Sequence, residues 1–180
     1  MAVTMVVEDG TGKSDANSYN TLAKIVTILE EYSFAMGLSA ANTPVLGDIS
    51  DASAISAARY IDSRFYASLM GLRLTDDQAL EFPRVDVPKD AAKQYYYDSD
   101  VLPPPLLAAH AMATYWAEND TDNFLVNQDA PGTIKRKKEK VGPLEEDTEW
   151  SGGSSVQKVY SLINTEMRKL TDFSNRVGRA

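Results

Sequence analysis

Apolar residues recur at three- and four-residue spacing in four separate segments of this 180-residue chain. Such a period lines up apolar side chains along one face of a helix, so each segment predicts an amphipathic α-helix. The four apolar stripes are Tyr19, Leu22, Ile25, Leu29, Tyr32 and Met36; Ile55, Ala58, Ile61, Phe65 and Leu69; Leu107, Ala111 and Tyr115; and Val156, Val159, Ile163, Met167 and Leu170. The sequence therefore predicts a mainly α protein, a small bundle of about four helices.

Start and stop signals give approximate ends for these helices. Asp15, Asn17 or Ser18 can cap the first helix, and Gly37 is a natural stop for it. The second helix is predicted to begin near Asp48 or Ser50. The third begins in the run 103–105 of three prolines, because proline is tolerated in the first helical turn, and continues to residue 118. The last helix is predicted over about residues 154–170.

The remaining segments lack a helical period and divide the chain into parts. Residues 1–17 are predicted to form an extended N-terminal arm, residues 18–132 a helical core, residues 133–150 a protruding β-hairpin, and residues 151–180 a C-terminal helix with an extended tail. Within the core, residues 71–102 are predicted to form a long ordered loop with short strands or turns. Loops of this length inside a compact domain usually have a function.

Composition limits the chemistry available to the chain. There is no cysteine, so disulfides and thiolate metal sites are impossible. The formal net charge of -8 argues against a general nucleic-acid coat, although it leaves room for a local basic patch. No apolar run approaches the roughly 18 residues that a membrane span needs, and the N-terminus lacks the features of a signal peptide. We therefore expect a soluble protein made inside the cell, with no membrane partner.

The run Gly10-Thr11-Gly12-Lys13-Ser14 imitates a phosphate-binding loop. It follows a β-like apolar segment and precedes a helix, as such a loop does. The motif also needs a glycine five positions before Gly12, where this chain has Val7, and no strand ending in an aspartate follows to hold magnesium. We interpret the run as a turn rather than as a nucleotide site.

Other candidate catalytic or metal-binding groups are also better explained as structural. His110 is the single histidine, and its position on an apolar helix face predicts a packed or half-buried side chain. The acidic pairs at positions 98 and 100 and at positions 120 and 122 lack the glycine and terminal glutamate of a calcium loop, so we interpret them as capping and turn residues. We expect no enzymatic activity and no cofactor or metal.

The segment 133–150 carries opposite charges in its two halves. Basic residues fill the first half and acidic residues the second, with Gly142-Pro143 between them. A hairpin about this turn sets Lys140 opposite Glu145, Lys138 opposite Asp147 and Arg136 opposite Glu149, each pair stabilising the hairpin by about 0.2–1 kcal/mol. Glu139 opposite Glu146 is the one like-charged pair. The alternative interpretation is a disordered charged loop.

We expect partners to bind this hairpin and the long loop. A basic and an acidic strand would give each copy in a ring complementary sides, while the basic strand alone could contact DNA. The tyrosine run in the loop alternates faces if extended, which suits an interface or merely a packed loop. The predicted interface residues are Lys135, Arg136, Lys138, Lys140, Glu145, Asp147, Glu149, Trp150, Phe82, Arg84, Tyr95, Tyr96 and Tyr97.

Several motifs, in this order along the chain, resemble one family. They are Val7-Glu8-Asp9-Gly10-Thr11-Gly12, Asp15-Ala16-Asn17-Ser18-Tyr19, Ala58-Arg59-Tyr60-Ile61-Asp62, Leu80-Glu81-Phe82-Pro83-Arg84, Leu102-Pro103 and Lys138-Glu139-Lys140-Val141-Gly142-Pro143-Leu144. Together they resemble the head–tail connector, or neck adaptor, proteins of tailed bacteriophages, some of which carry the label of DnaT-like single-stranded-DNA-binding proteins.

The resemblance implies a structural virion protein without catalytic residues. Such a protein assembles as a dodecameric ring that joins the portal protein to the next neck or tail component, in the virion and, during assembly, in the host cytoplasm. It would contact genomic DNA, if at all, non-specifically in the channel. The label carried by some members implies the alternative of a single-stranded-DNA-binding replication protein.

Overall fold

The structure, a computed structural model, describes residues 4–39, 42–89, 94–119, 127–129, 134–140, 145–150, 155–157 and 160–171. Four α-helices lie in this part of the chain, which confirms the predicted mainly α fold. They are α1 (Leu22–Tyr32), α2 (Asp51–Phe65), α3 (Pro104–Asn119) and α4 (Ser161–Met167). None of the helices in the described ranges has the length and apolar character needed to cross a membrane.

The chain divides into two compact units. The helical unit comprises Met1–Thr121 and Tyr160–Ala180, and the strand unit comprises Asp122–Val159. The helical unit contains a buried apolar core, which includes Ile25, Leu29, Ile61, Leu106 and Met112.

Helix α3 is the centre of the helical unit and packs against α1, α2 and α4. Its apolar residues are not restricted to one stripe, because every residue from Pro105 to Thr114 is buried. A helix that is apolar all round must be enclosed by its neighbours. The alanines of α2 and α3 let these helices approach closely, because they add little volume between the two backbones.

The ends of α1 and α2 follow from their capping residues. The Ser50 hydroxyl accepts a hydrogen bond from the Ser53 N–H at 3.3 Å, so α2 begins where predicted. Helix α1 begins later than predicted, with Thr21 as its cap. The predicted cap Asn17 is unavailable, because its side-chain oxygen accepts from the Val6 N–H at 2.8 Å.

The described part of the predicted N-terminal arm is folded back rather than extended. The Asn17 N–H donates to the Val6 carbonyl at 2.8 Å, and the Glu8 N–H donates to the Ser18 carbonyl at 2.9 Å. Ala16 and Glu8 are buried. The described residues 4–17 therefore fold back on themselves through these hydrogen bonds, and their role as an arm stays a prediction. The predicted C-terminal tail beyond Thr171 lies outside the described residues.

The long loop contains short strands. Strands β1 (Leu72–Arg73) and β2 (Arg84–Val85) pair antiparallel, with Leu72 opposite Val85. Further along, Pro88 forms an antiparallel bridge with Tyr96. The predicted ordered loop with short strands is thereby confirmed.

The strand unit contains two pairs of antiparallel strands. Strand β4 (Ile134–Lys140) pairs with β5 (Glu145–Trp150), and β3 (Asn127–Asp129) pairs with β6 (Ser155–Gln157). The hairpin was predicted, but β3 and β6 were not. The predicted start of the last helix near residue 154 is wrong, since residues 155–157 form β6 and the helix begins at Ser161.

Candidate interaction surfaces

The β4–β5 register agrees with the charge pairing predicted from the sequence. Lys140 lies opposite Glu145, Lys138 opposite Asp147 and Arg136 opposite Glu149, and Glu139 faces Glu146. Thr148 and Trp150 lie opposite Lys137 and Ile134, with an irregularity between Ile134 and Arg136. Five of the seven β4 residues are therefore basic and four of the six β5 residues are acidic. The interface roles predicted for these residues stay predictions.

The tyrosine run forms part of the surface of the helical unit. Tyr95 and Tyr96 are 67% and 47% exposed, and Tyr97 is half-buried. The ammonium of Lys89 lies 5.4 Å from the centre of the Tyr97 ring, a cation–π contact. Whether these tyrosines contact a partner stays a prediction.

Phe82 and Arg84 have structural roles that differ from the predicted interface roles. Phe82 is fully buried, so its ring has no surface to offer a partner. The Arg84 guanidinium donates to the Met70 carbonyl at 3.0 Å, the Gly71 carbonyl at 2.7 Å and the Glu81 carboxylate at 3.0 Å. These bonds occupy its donors and tie β2 to the chain before β1. Phe82 and Arg84 were predicted as interface residues because the sequence alone does not show that this part of the loop folds into the core.

The run that imitates a phosphate-binding loop holds an anion of its own. The Glu8 carboxylate accepts hydrogen bonds from the backbone N–H groups of Gly10, Gly12 and Lys13, each at 2.9 Å. The Lys13 ammonium pairs with Asp9 at 2.8 Å. The N–H groups that would cradle a phosphate therefore already bind a buried carboxylate.

Glycine is required at the first position of this loop. Gly10 has a φ of +100°, which side-chain-bearing residues rarely adopt. A Cβ atom there would lie 1.9 Å from the Asp100 carbonyl oxygen. The glycines therefore serve a tight turn around Glu8 and close contact with the chain before α3.

His110 is fully buried, as the sequence predicted. Its Nε2 lies 2.9 Å from the Ala54 carbonyl and its Nδ1 lies 3.1 Å from the Asn20 amide nitrogen. These partners require Nε2–H to donate and unprotonated Nδ1 to accept, which is the neutral ring. Burial lowers the His110 pKa to about 4, so the side chain joins α2, α3 and the chain before α1 without carrying charge at neutral pH.

Asp62 forms a second polar junction, which the sequence did not reveal. The Tyr19 hydroxyl donates to one oxygen of its carboxyl group, and the Glu81 N–H donates to the other at 3.3 Å. Burial raises the pKa of Asp62 to about 7, against the opposing effect of these hydrogen bonds. The sequence does place Asp62 next to Ile61 of the apolar stripe of α2, which favours partial burial. It does not indicate the partners of Asp62, because Tyr19 and Glu81 lie far from it along the chain.

A third junction joins the start of α2 to the end of α3. The Glu118 carboxylate accepts from the Ser50 N–H at 3.0 Å and the Ser50 hydroxyl at 2.8 Å, and also from the Ser53 hydroxyl. Among the described residues, no group of three or more His, Asp or Glu side chains is arranged to hold a metal ion.

These features define the class of protein: a small helical domain with a separate charged strand unit, in which the polar groups of the described core serve to join its elements. The chain belongs to the family described as "Putative DnaT-like ssDNA binding protein", whose model matches residues 3–180. No curated protein and no solved structure matches the chain.

Proposed function

We propose that this protein binds single-stranded DNA, without enzymatic activity, through the basic strand β4. The observation that carries the proposal is the family match along nearly the whole chain, to a description that names single-stranded DNA. The density of positive charge in β4 supports it, since five of its seven residues are Lys or Arg. Clustered cations attract phosphates even where the net charge of the protein is negative.

The pairing with β5 determines how strong this binding is. Each of the three basic residues Arg136, Lys138 and Lys140 lies opposite a carboxylate, which competes with phosphate for it. Ion pairs across two strands contribute only about 0.2–1 kcal/mol, so a run of phosphates displaces them at low salt. Affinity for DNA is therefore modest and strongly salt-dependent.

The test measures the binding of a fluorescently labelled oligothymidine by fluorescence anisotropy over a range of salt concentrations. We expect Lys138→Gln with Lys140→Gln to weaken binding and to reduce the salt slope by about 0.7 for each phosphate that the variant no longer neutralises. The matched variant Glu145→Gln with Asp147→Asn should bind more tightly, because it removes the competing carboxylates. Absence of wild-type binding at low salt would contradict the proposed function.

A second candidate function is that of a head–tail connector that forms a ring between the portal and the next neck or tail component of a bacteriophage particle. The sign-segregated strands favour it, because β4 of one copy would complement β5 of the next. The resemblance of the sequence motifs to connector proteins also supports it. This function implies self-association, portal and neck or tail partners, and a place in the virion.

Electron microscopy of the protein with its portal tests this candidate. A ring at the portal is expected for the wild-type protein, and Lys138→Glu with Lys140→Glu should impair ring assembly without unfolding the helical unit. Virions whose neck lacks this chain would exclude the connector function. DNA binding in solution without ring formation would favour the first function over the second.

A further inference from the structure

The helical unit has its own surface of aromatic and basic residues, separate from β4 in the chain. We name it the tyrosine–lysine patch and define it as Tyr95, Tyr96, Tyr97, Lys89 and Lys169. Tyr95 is 67% exposed and Tyr96 is 47% exposed, so two adjacent aromatic rings are open to solvent. Exposed aromatic side chains of this kind mark binding surfaces more often than they mark a folding core.

The backbone holds the tyrosines in fixed positions. The Lys89 N–H donates to the Tyr95 carbonyl at 2.7 Å, and the Tyr97 N–H donates to the Val87 carbonyl at 2.9 Å. In this extended pairing, successive side chains alternate between faces, so Tyr95 and Tyr97 share one face and Tyr96 takes the other. The rings are thus carried by a segment that is bridged to residues 87–89 at Tyr96.

Cations from two distant parts of the chain adjoin these rings. Lys89 lies over the Tyr97 ring at 5.4 Å. Lys169, in the turn after α4, and its partner Glu166 both lie near Tyr97: burial raises the Tyr97 pKa, the Lys169 charge lowers it and the Glu166 charge raises it. The Lys169 ammonium pairs with Glu166 at 2.6 Å, and its side chain is still 54% exposed. The sequence did not reveal this arrangement, since Lys169 is far from the tyrosines along the chain.

We infer that the tyrosine–lysine patch is a base-stacking site for single-stranded nucleic acid. Unpaired bases have flat faces that stack on exposed rings, and neighbouring ammonium groups attract the phosphates between them. A paired duplex hides its base faces, so the partner is a single strand. This inference rests on the proposed function and adds to it a second contact, on the helical unit, that binds bases as well as backbone phosphates.

Binding at β4 and binding at the tyrosine–lysine patch can be distinguished by their dependence on salt and on the presence of bases. Binding to β4 depends on phosphates and therefore on salt, whereas stacking depends on the bases themselves. An oligomer of abasic nucleotides has the same number of phosphates as an oligothymidine but no base to stack. Comparing the two oligomers at several salt concentrations isolates the contribution of the tyrosines.

The experiment measures anisotropy of both oligomers with the full-length protein and with Tyr95→Ala plus Tyr96→Ala. We expect the wild-type protein to prefer oligothymidine to the abasic oligomer. The double variant should bind oligothymidine about tenfold more weakly or worse, with an unchanged salt slope and unchanged abasic binding. The matched control is Tyr66→Ala, which removes a tyrosine that is 62% exposed and outside the patch.

Three outcomes would overturn the inference. If the wild-type protein binds both oligomers equally, no stacking occurs. If it prefers oligothymidine and the double variant keeps that preference, the stacking site lies elsewhere while the proposed function stands. If the wild-type protein binds neither oligomer, the inference and the proposed function are both wrong, and the patch is a protein contact. Tyr95→Phe plus Tyr96→Phe keeps the rings and should retain binding, which separates stacking from any loss of fold.

Discussion

At the scale of single residues, burial shifts the pKa values of Asp62 and His110 in opposite directions. Burial raises the pKa of Asp62 from 3.8 to about 7 and lowers that of His110 from 6.5 to about 4. Both shifts favour the neutral form, as expected for groups withdrawn from water. Between these pKa values the folded protein keeps both side chains uncharged.

The two groups affect the pH dependence of stability with opposite signs. Between pH 3.8 and about 7, Asp62 is protonated when folded and ionised when unfolded, so its contribution to stability decreases as pH rises. Between about pH 4 and 6.5, His110 is neutral when folded and charged when unfolded, so its contribution increases as pH rises. Above pH 6.5 only the Asp62 contribution is still changing.

The substitution Asp62→Asn tests this account. It removes the titration at this position, so the free energy of unfolding of the wild-type protein minus that of the variant should decrease from pH 4 to pH 7 by a few kcal/mol, on the order expected for a shift of this size. The measurement is chemical denaturation at a series of pH values. The variant alone should become more stable from pH 4 to 6.5, because the His110 contribution is no longer opposed. If the difference in the free energy of unfolding between the two proteins did not vary with pH, the raised pKa of Asp62 would be contradicted.

At the scale of secondary-structure elements, Glu118 links two helices at their ends. Burial raises its pKa, but the hydrogen bonds from Ser53 and Ser50 outweigh burial and hold the pKa below its usual value. The carboxylate also lies at the N-terminal end of α2, where a negative charge interacts favourably with the helix dipole.

We expect Glu118→Ala to lower the stability of the helical unit by about 1–2 kcal/mol, since it removes the partner of a helix N-cap. Thermal denaturation of the variant measures the effect. Glu118→Gln is the matched control, because its amide oxygen still accepts hydrogen bonds, and it should lose less stability. An equal loss in both variants would show that the negative charge, rather than the hydrogen bonds, joins the helices.

Local sequence signals predicted some elements well. The start of α2 and the β4–β5 register were predicted because a capping residue and a short turn act over a few positions. The start of the last helix was not, because the helical period of its apolar residues begins at Val156, which pairs with Gln128 in a strand. Pairing with a distant segment overrides local periodicity.

The same distinction applies to the candidate interaction surfaces. The charged hairpin is contained in one segment of the sequence and could be predicted from it. The approach of Lys169 to Tyr97 and of Tyr19 to Asp62 depends on the tertiary fold, and no local pattern indicates either. The burial of Phe82 was missed for the same reason.

At the scale of the whole molecule, the division into two units has an energetic consequence. The Trp116 and Tyr160 rings stack at 5.4 Å, so the last turns of α3 lie beside the residue that precedes α4. The helical unit has a buried apolar core of its own. Its stability therefore does not require the strand unit.

Replacing residues 122–159 with a short glycine–serine linker should leave the helical unit folded. A few linker residues suffice to connect the end of α3 to Tyr160, because the Trp116 ring in α3 already stacks on the Tyr160 ring. Circular dichroism and thermal denaturation should show a helical, cooperatively unfolding protein with little change in melting temperature. Binding of the abasic oligomer should weaken strongly when β4 is removed, since only the lysines of the tyrosine–lysine patch then attract its phosphates. A molten or aggregated product would show that the strand unit contributes to the core.

The Glu8 carboxylate within the loop at Gly10 to Lys13 also determines what this part of the molecule can sense. An anion attached to the same chain has a very high local concentration and is not diluted away, so free phosphate competes with it poorly. The N–H groups of the loop are therefore bonded to Glu8 whenever the protein is folded. The conformation of the loop is set when the chain folds and does not change with the concentration of free nucleotides.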